Sequence, residues 1–301
     1  MFGVLNLNKP AGVTSRDVVN VVQRLVKPAK AGHAGTLDPM ATGVLLVCVG
    51  AATRLISLLQ RSSKTYVAGF RFGQRSDTDD CSGIVTDVPI DGDVPSEQQV
   101  RDVLRTFIGT IEQVPPAFSA VKVNGQRAYA KARRGESVEL KSKSVHVFAI
   151  DVIEYAWPNL TLQIECGSGT YIRSIARDLG ESLGCGGLMT SLERTAIGEF
   201  PVAAAIAPES LSAESIVSMM TDPIRVVADM PTYQCNSDDE ELVRIGRQLS
   251  ISKSKLHIPD GTDAAQVSEI AVVSADGTRL LALGELNLQN EVVQPRTVFI
   301  R

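Results

Sequence analysis

The sequence predicts an α+β fold on a mixed or antiparallel central sheet, followed by a small β-rich C-terminal domain. Three observations carry this expectation. Strand-like and helix-like segments interleave without the regular βαβ rhythm of a doubly wound protein. The 301 residues suffice for two domains at about 100–200 residues each. The chain also changes character near residues 229–232, and the remainder reads as short strands joined by turns such as Asp276-Gly277. The expected domains are therefore residues 1–231 and 232–301.

Residues 4–8 read as a strand stopped by Lys9-Pro10. Thr14 or Ser15 can then cap a helix whose apolar face is Val18, Val19, Val22, Leu25 and Val26. Residues 31–43 form a loop rich in Gly and Pro, residues 44–49 a buried apolar run, and residues 51–59 a helix. Residues 64–72 alternate Tyr66, Ala68, Phe70 and Phe72 with more mixed positions, as a half-buried strand should. Residues 76–96 are acidic and turn-rich, hence an exposed connection. Ser96 and Gln99 form a capping box for a helix carrying Val100, Val103, Leu104 and Phe107, closed by Gly109. Residues 145–152 and 160–166 alternate as strands. Residues 171–183 come next as a helix with Ile172, Ile175, Ala176 and Leu179 inward, for which Thr170 is a cap candidate. In the C-terminal part, a polar cluster at 236–241 precedes the strands of 267–301.

Composition narrows the function classes. The longest apolar stretch, residues 44–52, is far short of the roughly 20 residues that span a bilayer, so no membrane association is expected. The N-terminus shows no basic start, sustained apolar core or small-residue cleavage site, and the expected compartment is the cytoplasm. Five widely spaced cysteines form no CxxC pair, and no histidine stands near one at zinc-ligand spacing, so reduced thiols and no structural metal are expected. Net charge is −4, but its distribution is uneven. Residues 1–75 carry ten Lys/Arg against Asp17 and Asp38, and residues 121–143 carry seven against Glu136 and Glu139. Basic blocks of this size can form a phosphate-binding face within an acidic chain.

The most informative segment is GHAGTLDPMATG, residues 32–43. Glycines at 32, 35 and 43 permit sharp turns and close backbone approach around one acid, Asp38. Nearby cations should hold that acid ionised, fit to act as a nucleophile or general base. An Asp-Pro pair is also a common helix cap and first turn, so spacing alone leaves both readings open. GSGTYI at 167–172 invites a dinucleotide loop, but Ile172 stands where the third glycine belongs.

The wider pattern resembles the TruB family of pseudouridine synthases. GHAGTLDPMATGVL is similar to the family's catalytic motif, and LNKPAGVTS at 7–15 to its N-terminal KPxGxTS segment. Lys64-Thr65-Tyr66 with GQRSDT at 73–78 resembles a second motif, and QVPPAFSAVK at 113–122 a third. GTYIR at 169–173 with Leu192-Glu193-Arg194 completes the set, and GELNLQNEVVQPRTVFI is similar to the family's PUA-like C-terminal domain. Six matches in order make the resemblance specific. Two positions depart from it: Glu193 stands where a basic residue is frequent, and Phe118 where tyrosine is.

The resemblance implies a pseudouridine-synthase fold and isomerisation of uridine 55 in the TΨC arm of tRNA, with no cofactor. Asp38 is the implied nucleophile; attack at C6, attack at C1′ and removal of a ribose proton all remain open to it. Tyr66 is implied to stack on the target base near the departing C5 proton. Tyr171 and Arg173 are implied to line the pocket, with Arg173 paired to Asp38. Leu192 is implied as an apolar wall, His33 as a contact of the rearranged RNA loop, and Lys9 as support for the site. Each has a plainer reading: Tyr66 and Leu192 as core, Tyr171 as a helix start. His33, in a glycine-rich loop, is expected to be exposed. The basic insertion at about 113–143 is expected to grip an RNA stem through Lys122, Arg127, Lys131, Arg133 and Arg134, within a chain that works as a monomer without a protein partner.

Other readings are a dyskerin-type synthase working with guide RNA and partners, a non-catalytic RNA-binding protein on the same scaffold, and a glycosidase with paired carboxylates. Dyskerin-type chains carry longer N-terminal extensions and a fuller PUA domain. The glycine-rich loop offers one carboxylate, with no second acid in a matching context.

Overall fold

Residues 44–49 are apolar at every position, a pattern that suits a strand buried on both faces. In the computed structural model, which describes residues 1–90, 92–119, 122–123, 126–127, 134 and 140–300, they form the inner part of strand β3, Thr42–Gly50. One edge of β3 pairs antiparallel with β1, Phe2–Lys9, and a short β2, Ala31–His33, also joins it. Three residues assigned to a loop from sequence are thus a strand; Gly32 and the polar His33 hid the pattern.

The alternation at residues 64–72 gives β4, Lys64–Phe72, with every second side chain buried. Beyond it come β5, Gly109–Gln113, β6, Lys143–Ala156, and β7, Asn159–Cys166. A further strand, β8, Gly187–Ile197, lies between β3 and β4 at the centre of the sheet. The order is β1-β3-β8-β4-β7-β6-β5, and the pair Phe200–Pro201 extends β8. Only β8 and β3 run parallel; the other neighbours are antiparallel, so the sheet is mixed as expected.

Helix α1, Ser15–Val26, starts at a capping box between Thr14 and Asp17 and buries Val18, Val19, Val22 and Val26. Residues 51–61 form a 3-10 turn and then α2, Ile56–Arg61. The Ser96–Gln99 capping box starts α3, Glu97–Leu104. Helix α4, Ile172–Ser182, packs on β8, where a Cβ on Gly180 would stand 2.2 Å from the Gly186 carbonyl carbon. Helices α3 and α4 cover the face of the sheet that carries Tyr66, Ala68, Phe70 and Phe72. The cap at α4 differs from expectation: Tyr171 is the N-cap residue, and the Thr170 hydroxyl donates instead to the Gly167 carbonyl at 3.1 Å.

The C-terminal residues form a separate six-stranded sheet that includes β9, Thr232–Gln234, β10, Glu269–Val273, β11, Leu280–Asn287, and β12, Val292–Val298. The polar cluster at 236–241 carries the start of α5, Ser237–Arg244, with a capping box between Asn236 and Asp239. Ala271, Val273 and Leu280 of this sheet pack with Val4, Val44 and Leu46 of the central one. A Phe2–Phe299 ring stack and an Arg61–Glu269 ion pair flank that contact.

Candidate active site

The glycine-rich segment 32–43 crosses from β2 to β3, and the N-terminal segment holds it in place. Buried Ser15 accepts from the Leu37 amide at 2.8 Å and donates to the Leu37 carbonyl at 3.1 Å. Lys9 is fully buried, and its Nζ donates to the carbonyls of Pro10, Val13 and Pro39. The Gly12 amide also donates to Pro39. Residues flanking Asp38 on both sides are therefore fixed by the 9–15 segment. No helix starts at Asp38 among the described residues, so its carboxylate is not a cap; residues 38–41 make a turn closed by Ala41 N–H to Asp38 C=O.

At residue 43 the chain meets β8. A Cβ on Gly43 would stand 2.2 Å from the Arg194 carbonyl oxygen, and its φ of +95° is one that side chains rarely adopt. Glycine is therefore required where the loop turns into β3.

The Asp38 side chain is 35% exposed, whereas that of Arg173 is 7% exposed. Arg173, in the first turn of α4, donates from Nη2 to Asp38 Oδ1 at 3.2 Å, and its Nε stands 3.0 Å from Oδ2 as an ion pair. Contact with both carboxylate oxygens holds the carboxylate in one orientation. Its Nη1 faces Asp80 Oδ2 at 3.4 Å and donates to the Thr78 carbonyl at 3.1 Å, while Nη2 also donates to Phe118 C=O at 3.2 Å. Asp80 itself accepts from the Thr78 hydroxyl and the Ser82 amide. One turn along α4, Arg177 pairs with Asp79 at 2.8 Å.

These contacts correct two expectations. The acidic stretch 76–96 is largely exposed, but Asp80 is buried and stitched with Asp79 onto α4. Asp38 therefore has an acidic neighbour on the same guanidinium, 42 positions away in sequence. The basic surroundings also do not hold Asp38 low: burial pushes its carboxyl above the ordinary value of 3.8, Arg173 opposes, and Asp80 adds to the rise.

Tyr66 and Leu192, both nearly buried, belong to one apolar cluster with Leu37 and Ile172. Tyr171 is half-buried; its amide donates to Gln113 Oε1 at 2.7 Å, and Gln113 Nε2 donates back to its carbonyl at 3.0 Å. Burial pushes the hydroxyls of Tyr66 and Tyr171 up, so both are phenols at neutral pH. His33 differs from expectation: it is half-buried on β2, its Nδ1 has no hydrogen-bond partner among the described residues, and burial lowers its pKa. Glu193 is half-buried on β8 opposite Thr42 and Val67.

Of the basic insertion, Lys122 and Arg127 stand opposite each other in a short antiparallel pair, and Arg134 is exposed in a turn. Lys131 and Arg133 lie outside the described residues. Among the described residues no cluster of His, Cys, Asp and Glu could hold a metal, and no helix is long and apolar enough to cross a membrane.

Sequence reasoning singled out Asp38, Arg173, Tyr66, Tyr171, Leu192 and Lys9, and these gather around the 32–43 loop. It gave no role to Asp80, nor to Arg194, which entered only as part of the Leu192-Glu193-Arg194 motif. Arg194 is 1% exposed and donates from Nε to the Val44 carbonyl at 2.8 Å and from Nη2 to the Gly35 carbonyl at 3.1 Å.

The chain is similar to known proteins over most of its length. The family described as TruB family pseudouridylate synthase (N terminal domain) matches residues 23–172, and the tRNA pseudouridylate synthase B C-terminal domain matches residues 173–224. A tRNA pseudouridine synthase B of Thermobifida fusca is 44% identical over 271 residues, 86% of this chain and 92% of that one. Another, of Prochlorococcus marinus, is 38% identical over 308 residues, 99% and 97% of the two chains. Among solved structures, a Cbf5-Nop10-Gar1 complex superposes with a TM-score of 0.76 at 26% identity, covering 99% of this chain and 85% of that one. An H/ACA RNP bound to a substrate RNA containing 2′-deoxyuridine gives a TM-score of 0.72 at 25% identity, covering 100% and 86%.

Proposed function

The chain belongs to the TruB family of pseudouridylate synthases, and we propose that it isomerises uridine 55 in the TΨC arm of tRNA, with Asp38 acting on the flipped-out nucleotide. The observation that carries this reading is the Asp38–Arg173 pair: an accessible carboxylate oriented by a buried guanidinium. The charge of that carboxylate also bears on the hydroxyls of Tyr66 and Tyr171.

The chemistry is an isomerisation. The N1–C1′ bond breaks, the uracil turns while held, C5 bonds to C1′, the C5 proton leaves and N1 gains one. Atoms and electrons balance within the nucleotide and water, so the reaction requires no redox partner, triphosphate or metal. The base must leave its stack, at a cost of a few kcal/mol. Stacking on an aromatic side chain such as Tyr66 offsets about 1–3 kcal/mol of that cost. Leu192 closes the pocket as an apolar wall, Tyr171 and Arg173 line it, and Lys9 supports the loop that presents Asp38. The shift of Asp38 toward the protonated form makes Arg173 a requirement, since a nucleophile must be ionised when the base arrives.

Around this centre, Lys122, Arg127, Lys131, Arg133 and Arg134 would grip the phosphates of the RNA stem, and His33 would meet its loop. Residues 1–231 would form the catalytic domain and residues 232–301 a PUA-like RNA-binding domain. Relatives named tRNA pseudouridine synthase B reach 46% identity, against 26% for the Cbf5 complex. That difference favours the tRNA-acting type over the guide-dependent one, and in this reading the chain acts in the cytoplasm as a monomer, without guide RNA or protein partners. The test is to incubate purified protein with an unmodified tRNA transcript and map pseudouridine. Modification at position 55 without added guide is expected. Modification only with a guide RNA and partner proteins would assign the chain to the guide-dependent type instead.

A further inference from the structure

Arg194 is a buried cation at the centre of the sheet, and none of the ion pairs among the described residues involves it. A charge in that position is costly unless something uses it. Two backbone carbonyls, those of Val44 and Gly35, accept from its Nε and Nη2, which a neutral donor could also satisfy. Its third neighbour is more telling. In the antiparallel pairing of β8 with β4, Arg194 stands directly opposite Tyr66. Side chains of directly opposed residues project from the same face and meet. The charge and donors of Arg194 oppose the upward push of burial on the Tyr66 hydroxyl. A phenol oxygen that accepts from a fixed guanidinium has its remaining lone pair and its own proton directed away from that donor. The same guanidinium grips the Gly35 carbonyl, three residues before Asp38.

We propose that Arg194 is a positioning residue: it orients the Tyr66 hydroxyl toward C5 of the flipped base and ties that hydroxyl to the loop carrying Asp38, so one side chain sets both sides of the reacting nucleotide. This rests on the reading that the Tyr66 hydroxyl acts near the departing C5 proton. The partners divide by function. Arg173 serves the carboxylate side of the site, and Arg194 the phenol side.

The test is a double-mutant cycle on single-turnover rates with saturating protein and tRNA, using Arg194→Met, Tyr66→Phe and the double variant. Loss of an acid–base hydroxyl should slow Tyr66→Phe by about 100-fold or more. Arg194→Met is expected to slow the wild-type background at least about tenfold but the Tyr66→Phe background less than about threefold, because groups acting as a unit are not additive. Arg194→Lys, which keeps a charged donor but not the fork, should recover part of the rate. Equal losses in both backgrounds would overturn the inference and leave Arg194 as a clamp on Gly35 and Val44. A Tyr66→Phe variant at the wild-type rate would instead remove the premise about the hydroxyl, a separate and recognisable failure. Should Arg194→Met fail to fold, Arg194→Gln, which keeps donors for both carbonyls, completes the same cycle with the same criteria.

Discussion

Replacing Arg173 with methionine keeps the apolar stem but removes the cation between Asp38 and Asp80. The guanidinium contacts Asp38 at 3.0 and 3.2 Å and Asp80 at 3.4 Å. A contacting opposite charge lowers a carboxylate pKa by about 1–3 units, and solvent screening of the 35% exposed Asp38 favours the low end of that range. Burial and Asp80 already push Asp38 above 3.8, and without Arg173 nothing on α4 opposes them. If ionised Asp38 is required, the acid limb of the single-turnover rate lies above 3.8 in the wild type and about one pH unit or more higher in Arg173→Met. Stability should fall as well, by about 3–5 kcal/mol near neutral pH, because two carboxylates lose their counter-ion. Linkage sets the sign with pH. A folded-state pKa raised above the unfolded value means the folded state binds the proton more readily, so stability falls as pH rises through the window between them. The variant should therefore recover part of its deficit on acidification toward 3.8. The assays are single-turnover pseudouridine formation and urea unfolding, each followed from about pH 4 upward to about pH 8. An acid limb in the same place for both proteins, with equal stability, would refute the assignment of Arg173 as the counter-ion of Asp38.

Three further outcomes are expected. Gly43→Ala places a methyl 2.2 Å from the Arg194 carbonyl oxygen at a φ of +95°; unfolding should show a loss of about 2–5 kcal/mol, and a loss below about 1 kcal/mol would contradict the close approach. Lys9, fully buried, has its pKa lowered from 10.5 to about 8, so the folded state releases this proton first and wild-type stability gains as pH rises from about 8 toward 10.5. The gain is up to about 3 kcal/mol, and Lys9→Met should lack it; parallel stability–pH curves would refute a buried ammonium. Replacing Lys131, Arg133 and Arg134 together with alanine should flatten the log K versus log salt slope for tRNA binding by about 2, whereas an unchanged slope would make the block a solvated face.

Much of the fold and site is legible in the sequence because the relevant signals are local. The capping boxes at Thr14–Asp17 and Ser96–Gln99, the alternation in β4 and the glycines around Asp38 each lie within a few residues of what they specify. What escapes is non-local. Strand β8 reads Gly-Leu-Met-Thr-Ser-Leu-Glu-Arg-Thr-Ala-Ile, with polar residues interrupting any clean period, yet it occupies the centre of the sheet. Its polar positions face partners from β3 and β4 that sequence alone does not place beside it. For that reason the buried place of Arg194 at the centre of the sheet is not legible, although its motif is. Asp80 is hidden by its acidic neighbours, which mark the whole stretch as solvated; only the fold brings Arg173 to it. The direction of the Asp38 shift escapes likewise, because counting nearby cations in sequence takes no account of burial. The polar helix Ser237–Arg244 is a different case, since Asn236 and Asp239 form its capping box, a signal that is present and readable.

The central claim is that the Asp38 carboxylate performs the chemistry, and Asp38→Asn tests it most directly. The amide keeps the size and can still accept a hydrogen bond from Arg173, but it lacks the charge. Pseudouridine at position 55 of a tRNA transcript should be undetectable after prolonged incubation with a clean preparation of the variant, while tRNA affinity changes by less than about tenfold, or about 1.4 kcal/mol. Substantial pseudouridine formation by that preparation would contradict the account.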